Sequence, residues 1–109
     1  MNKEENCTYK VLHHTAEGYI VRCNGCNSIS IGYGTTSIAF TEPQFYEFKA
    51  MVAEYYEAYK HSSNRNLKQV ELSTAVRSIK LLYSVNELAN IIELMEEAHA
   101  SMAVEKLMK

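Results

Sequence analysis

Two short signals, Thr41-Glu42-Pro43-Gln44 and Ser84-Val85-Asn86-Glu87, constrain this chain more than any others. Each is a capping box. A hydroxyl residue can accept the N–H of the residue three further on, whose side chain reaches back to the cap's own N–H. Each box follows a segment rich in β-branched and aromatic residues and opens a stripe of apolar residues at three and four spacing. After Thr41 the stripe is Phe45, Phe48, Val52, Tyr55 and Tyr59, and Pro43 sits in the first turn, where its missing N–H has no partner to lose. After Ser84 it is Leu88, Ile91, Ile92, Met95 and Ala98. The caps stand 43 residues apart, an offset that matches Phe40 to Tyr83, Gln44 to Glu87, Phe45 to Leu88 and Phe48 to Ile91. The pattern reads as two hairpin-then-helix units, a ββα internal repeat in two copies.

The strand segments supply the other half of each unit. Residues 9–14 and 19–22 read as a hairpin around Thr15-Ala16-Glu17-Gly18. Residues 28–33 and 36–40 flank Gly34-Thr35, a two-residue loop that suits a type II′ turn with glycine first. That register sets Ile31 opposite Ile38 and Ile29 opposite Phe40 on one face. Residues 68–72 and 78–83 form a further hairpin, pairing Val70 with Leu81 and Leu72 with Ile79. Leu72, Val76, Ile79 and Tyr83 also fit helical spacing, so a short helix is the alternative there. The expected fold is α+β: antiparallel β-hairpins forming a sheet with two helices packed on one face. At 109 residues this is one domain, 1–109, with β-hairpins over 8–40, a helix over 42–61, a second hairpin over 68–83 and a helix over 85–107.

Charge narrows the partners. The formal net charge is −2 and the pI about 6.1, so no global field draws the chain to nucleic acid or anionic lipid. No apolar run approaches the roughly 20 residues that cross a bilayer. The amino-terminal MNKEENCTYK has no apolar core of a signal peptide. With three cysteines, an odd number, a cytoplasmic location and reduced thiols are expected.

The only chemically loaded phrase is Arg22-Cys23-Asn24-Gly25-Cys26-Asn27-Ser28. A C-x2-C on a hairpin turn is half of a zinc site, because the turn aims both sulfurs at one point. Such turns need positive φ just after the second cysteine, which Asn27 tolerates. Continuing the first hairpin's register without interruption puts Lys10 opposite Cys23 and Cys7 opposite Cys26. Cys7, Cys23 and Cys26 are therefore the expected metal ligands and zinc the expected cofactor. The fourth position is open to His61, His99, an acid near Glu4-Glu5, water, or another subunit. His13 and His14 fall at the far end of the ladder, about 10 Å or more from Cys23.

Two other readings of the thiols stand beside zinc. They could be small buried or half-exposed groups that hold no metal, or they could do redox chemistry. Redox ranks last, because a strand rather than a helix follows Cys26, so no helix dipole lowers the Cys23 pKa, and Arg22 alternates away from it. No Ser-His-Asp arrangement, paired carboxylates or nucleotide loop can be argued from spacing. A catalytic residue is not expected.

The runs Gly18-Tyr19-Ile20-Val21-Arg22-Cys23-x-x-Cys26, Ile31-Gly32-Tyr33-Gly34 and Ile38-Ala39-Phe40-Thr41-x-x-x-Phe45-x-x-Phe48 resemble a family of small bacterial proteins with no assigned function. The resemblance covers about Cys7 to Val52, with a looser echo in the second helix unit. Cys7 matches that family's early cysteine, while Tyr33-Gly34-Thr35 stands where the family has an aromatic-Gly-Asn-like hairpin. It implies a small cytoplasmic protein and transfers no catalytic residue.

The expected function is a small non-enzymatic binding or adaptor protein with a structural zinc knuckle and an unidentified protein partner. The alternatives are a thiol-dependent redox or metal-handling protein and a structural protein without metal. Nucleic acid and membrane are not expected partners. A homodimer through the helices is. A 23-residue second helix, roughly 35 Å long, should overhang its sheet, leaving Met102 near an interface.

Overall fold

The computed structural model describes residues 8–108. Its elements run β1 (Tyr9–His14), β2 (Gly18–Cys23), β3 (Ile29–Tyr33), β4 (Thr36–Phe40), α1 (Glu42–Tyr59), β5 (Val70–Ser73), β6 (Lys80–Tyr83) and α2 (Val85–Leu107). The fold is α+β, with the hairpins divided between two sheets. β1 to β4 form an antiparallel meander in chain order, and β5 pairs with β6 in a separate two-stranded sheet.

Both capping boxes form as read. The Thr41 hydroxyl accepts the Gln44 N–H at 3.2 Å while Gln44 Oε1 accepts the Thr41 N–H at 2.9 Å. Ser84 and Glu87 exchange the same pair of bonds at 3.1 and 2.9 Å. The β3–β4 hairpin also keeps its expected register, Ile31 with Ile38 and Ile29 with Phe40. Gly34 has φ +61 and Thr35 is not among the positive-φ residues, the combination a type II′ turn requires.

Two registers differ from expectation. A bulge between Val11 and His13 advances β1 by one residue, so Lys10 lies opposite Arg22 and Tyr9 opposite Cys23. The expected pairing of Cys7 with Cys26 lies outside the described residues. In the second hairpin Val70 pairs with Tyr83 and Leu72 with Leu81, two residues beyond the expected match. A slip of two leaves every side chain on its original face, so the apolar pattern fits both registers equally. Turn geometry decides. The Thr74 hydroxyl is shared between the Val76 and Ile79 carbonyls at 2.9 and 2.8 Å, and it accepts the Val76 N–H at 3.1 Å. This closes a longer loop that takes Ile79 out of the ladder and leaves it half exposed. No helix forms between Leu72 and Tyr83.

The core gathers Ile29, Ile31 and Tyr33 of β3, Ile20 of β2 and Leu12 at the bulge with Phe45, Phe48 and Val52 of α1. Helix α2 contributes Leu88, Ile91, Leu94, Met95, Ala98 and Met102. α2 contacts β1, β2 and α1, and α1 in turn contacts β4 and β5. Tyr55 and Ile92 are only partly buried, Tyr59 is exposed, and Leu94 is fully buried although the expected stripe omitted it.

Met102 is 1% exposed, covered by the chain's own core. The molecule extends 44 Å along its longest axis, longer than a helix of about 35 Å. The large outward-facing apolar residues on α2, Val104 and Leu107, lie beyond Met102. Met102 is thus a residue of the chain's own core, where an interface position was expected.

Close packing of β2 on β3 rests on two glycines. A Cβ on Gly18 would stand 2.4 Å from the Gly32 carbonyl oxygen, which belongs to the ladder and cannot move away. A Cβ on Gly32 would meet the Tyr19 ring at 2.3 Å, but that ring is half exposed and can swing outward. Gly18→Ala should therefore destabilise the fold by about 1–3 kcal/mol, and Gly32→Ala by less. Urea midpoints for the two variants check this order. A Gly18→Ala protein as stable as the wild type would contradict the packing described.

The cysteine turn and its cleft

The cysteines sit where β2 turns into β3. The Cys23 N–H donates to the Ser28 carbonyl at 2.9 Å, and the Asn27 N–H donates to the Cys23 carbonyl at 2.8 Å. Asn27 has φ 61, the left-handed conformation expected for the residue after the second cysteine. The Cys26 N–H points at Cys23 Sγ, 3.4 Å away. Backbone N–H donation to sulfur is what stabilises a thiolate on such a turn. Asn24 N–H donates to the Thr8 carbonyl at 2.8 Å, tying the turn to the start of β1.

The two sulfurs differ in setting. Cys23 is 1% exposed and disulfide-bonded, which corrects the expectation of a reduced thiol at that position. Cys26 is exposed, with its sulfur 3.2 Å from the Ser28 hydroxyl. Cys7, the third expected ligand, lies outside the described residues.

A cleft of about 700 Å³ opens beside this turn. Cys26 and Arg22 line one side, the amino-terminal turn of α1 (Thr41, Glu42) another, and the last turn of α2 (Glu105, Lys106) a third. No histidine lines it. His61 is exposed just beyond α1, His99 packs against the Tyr46 ring at 4.9 Å, and His13 and His14 pair with Ile20 and Tyr19. Among the described residues no group of three or more His, Cys, Asp or Glu could hold a metal ion. Two cysteines are half a tetrahedral site, so a closed centre needs Cys7 and one further donor.

The cleft's charges are paired. The bulge in β1 sets Lys10 directly opposite Arg22, a like-charge pair that would destabilise the ladder if left alone. Glu105 of α2 bridges them. Its Oε2 takes the Lys10 ammonium, and Arg22 Nη2 stands 2.6 Å from the buried Oε1 as an ion pair without good hydrogen-bond angles. Across the cleft Lys106 donates to Glu42 at 2.8 Å, and the Tyr46 hydroxyl donates to the same carboxylate at 2.9 Å. The spacing arguments missed Glu105, Glu42 and Lys106, because nothing local in the sequence brings the end of α2 beside the start of α1.

A family model spans residues 5–109. The chain belongs to DUF6686, a family of unknown function. No curated protein and no solved structure matches it. Membership in DUF6686 agrees with the expected resemblance to a family of small proteins without assigned function, and it assigns no chemistry to any residue. No helix among the described residues is long and apolar enough to cross a membrane.

The bridging glutamate gives a pH test. The Lys10 bond, and behind it the Arg22 charge, hold the Glu105 carboxyl below its usual 4.5 against the opposing effect of burial. A depressed folded pKa contributes stability that is full above about 4.5 and lost as pH falls through the lower folded value. Glu105→Gln should lower the melting temperature at pH 7 and flatten its fall on acidification below about pH 4.5. Thermal melts from pH 7 to 3 read this, and parallel curves for the two proteins would contradict it.

Proposed function

We propose that this is a small non-enzymatic binding protein in which the cysteine turn, once reduced, holds a structural zinc ion. The observation that carries the reading is the turn itself: Cys26 N–H on Cys23 Sγ at 3.4 Å, followed by Asn27 at φ 61. A turn of this kind can face two sulfurs toward one point, and the Cys26 N–H is a donor to a Cys23 thiolate. Cys23 and Cys26 would be two ligands and Cys7 the third. A donor from solvent or a partner would complete the tetrahedron, because no histidine lines the adjoining cleft. Zinc here would act as a staple between the turn and the segment before β1.

A second reading has its own support. Cys23 is disulfide-bonded beside exposed Cys26, an arrangement suited to thiol–disulfide chemistry. On that reading the cleft beside Cys26 would receive a thiol-bearing partner. The α1 amino terminus lines the same cleft as Cys26.

Metal content separates the two. Protein purified under reducing conditions and analysed for bound elements should carry about one zinc per chain. Cys23→Ser should lose both the metal and several degrees of melting temperature, since metal binding and folding are linked. His99→Ala should keep the metal. Reduced protein that is metal-free, and whose melting curve zinc does not raise, overturns the zinc reading. Rapid alkylation of Cys26 at pH 6, well below the ordinary cysteine pKa of about 8.5, would then favour thiol chemistry.

A further inference from the structure

Two surfaces of this chain carry opposite charge beside uncovered apolar groups. The first is the outward face of α2. Its buried residues occupy one side, and Glu93, Glu96 and Glu97 stand exposed on the other. Ala100 and Val104 continue the same stripe, three and seven residues beyond Glu97, and Val104 is 54% exposed. Among the described residues none of the three glutamates makes an ion pair. Carboxylates one helical turn apart repel when no cation lies among them.

The second surface is the end of the β5–β6 hairpin. Val76, Ile79 and Leu82 are each about half exposed there, interleaved with exposed Arg77 and Lys80. Neither cation makes an ion pair among the described residues, and the Lys80 ammonium reaches only the Ser73 hydroxyl at 3.3 Å. Glu71, opposite Leu82, is the hairpin's single acid. The Thr74 hydroxyl bonds hold the turn, so its apolar side chains project from an ordered surface.

The helix face offers carboxylates followed by small apolar groups. The hairpin offers cations set among branched apolar groups. A two-fold axis lets one copy present each surface to the other, so that the contact forms twice and closes. We infer that the chain forms a homodimer in which the hairpin end of each copy lies on the outward face of the other copy's α2. Arg77 and Lys80 meet Glu93, Glu96 and Glu97, and Val76 and Ile79 cover Ala100 and Val104. This dimer uses the outer side of α2, opposite Met102, and does not depend on whether the cysteine turn binds metal.

Charge exchange tests it. Light scattering on the eluting protein at micromolar concentration should give twice the chain mass of 12.4 kDa for the wild type. The double variant Arg77→Glu with Lys80→Glu sets acid against acid. The triple variant Glu93→Lys, Glu96→Lys and Glu97→Lys sets base against base. Each alone should dissociate at least about tenfold more readily, because facing like charges costs several kcal/mol. All five positions are exposed, and circular dichroism confirms that each variant is folded. Mixed in equal amounts, the two variants should recover the dimer, since both contacts then pair opposite charges. A monomeric wild type overturns the inference, as does a dimer that neither variant weakens or a mixture that stays monomeric. Anionic vesicles or nucleic acid bound by a monomeric wild type, and lost with Arg77→Glu and Lys80→Glu, would assign the hairpin to that partner instead.

Discussion

The rest of this structure depends on the burial of one side of α2. From Val85 to Met102 its inward residues are almost completely covered, and they touch β1, β2 and α1. Each large side chain so buried contributes about 1.5–3 kcal/mol relative to exposure. Ion pairs near the surface contribute less, commonly under about 1 kcal/mol. Burial therefore places the helix, and the Lys10–Glu105–Arg22 junction sets where its last turn settles. The same placement brings Lys106 to Glu42 and closes a cleft around the cysteine turn. The candidate site follows from a core contact made elsewhere.

The parts of the fold that were legible in the sequence are those whose cause is local. Thr41 with Gln44 and Ser84 with Glu87 satisfy N–H groups within four residues, so both helix starts could be read directly. Gly34 supplies positive φ within a two-residue loop, and that alone fixes the β3–β4 register. The parts that differed have distant causes. The bulge at Leu12 serves a strand at the sheet's edge and a glutamate more than ninety residues away. The β5–β6 slip of two keeps the same faces, so only the Thr74 loop distinguishes it. Ile92 and Leu94 flank opposite borders of the α2 stripe, and which border is covered depends on where the sheet lies.

The candidate site divides in the same way. The left-handed Asn27 comes from the turn's own seven consecutive residues, and spacing revealed it. The cleft is a tertiary product of three segments, and spacing did not reveal it. The one-residue advance of β1 also alters the reasoning that led to Cys7. Lys10 now faces Arg22 instead of Cys23, so uninterrupted register no longer argues for Cys7 opposite Cys26. The case for a metal rests on the turn's own geometry, and the Cys23 disulfide makes reduction its precondition.

The most direct test of that case is X-ray absorption at the zinc edge on reduced protein loaded with an equivalent of zinc. A cysteine knuckle predicts a first shell dominated by sulfur at about 2.3 Å, weakened when Cys26 is replaced by serine. A shell of nitrogen and oxygen alone at about 2.0–2.2 Å, unchanged by that replacement, would contradict it.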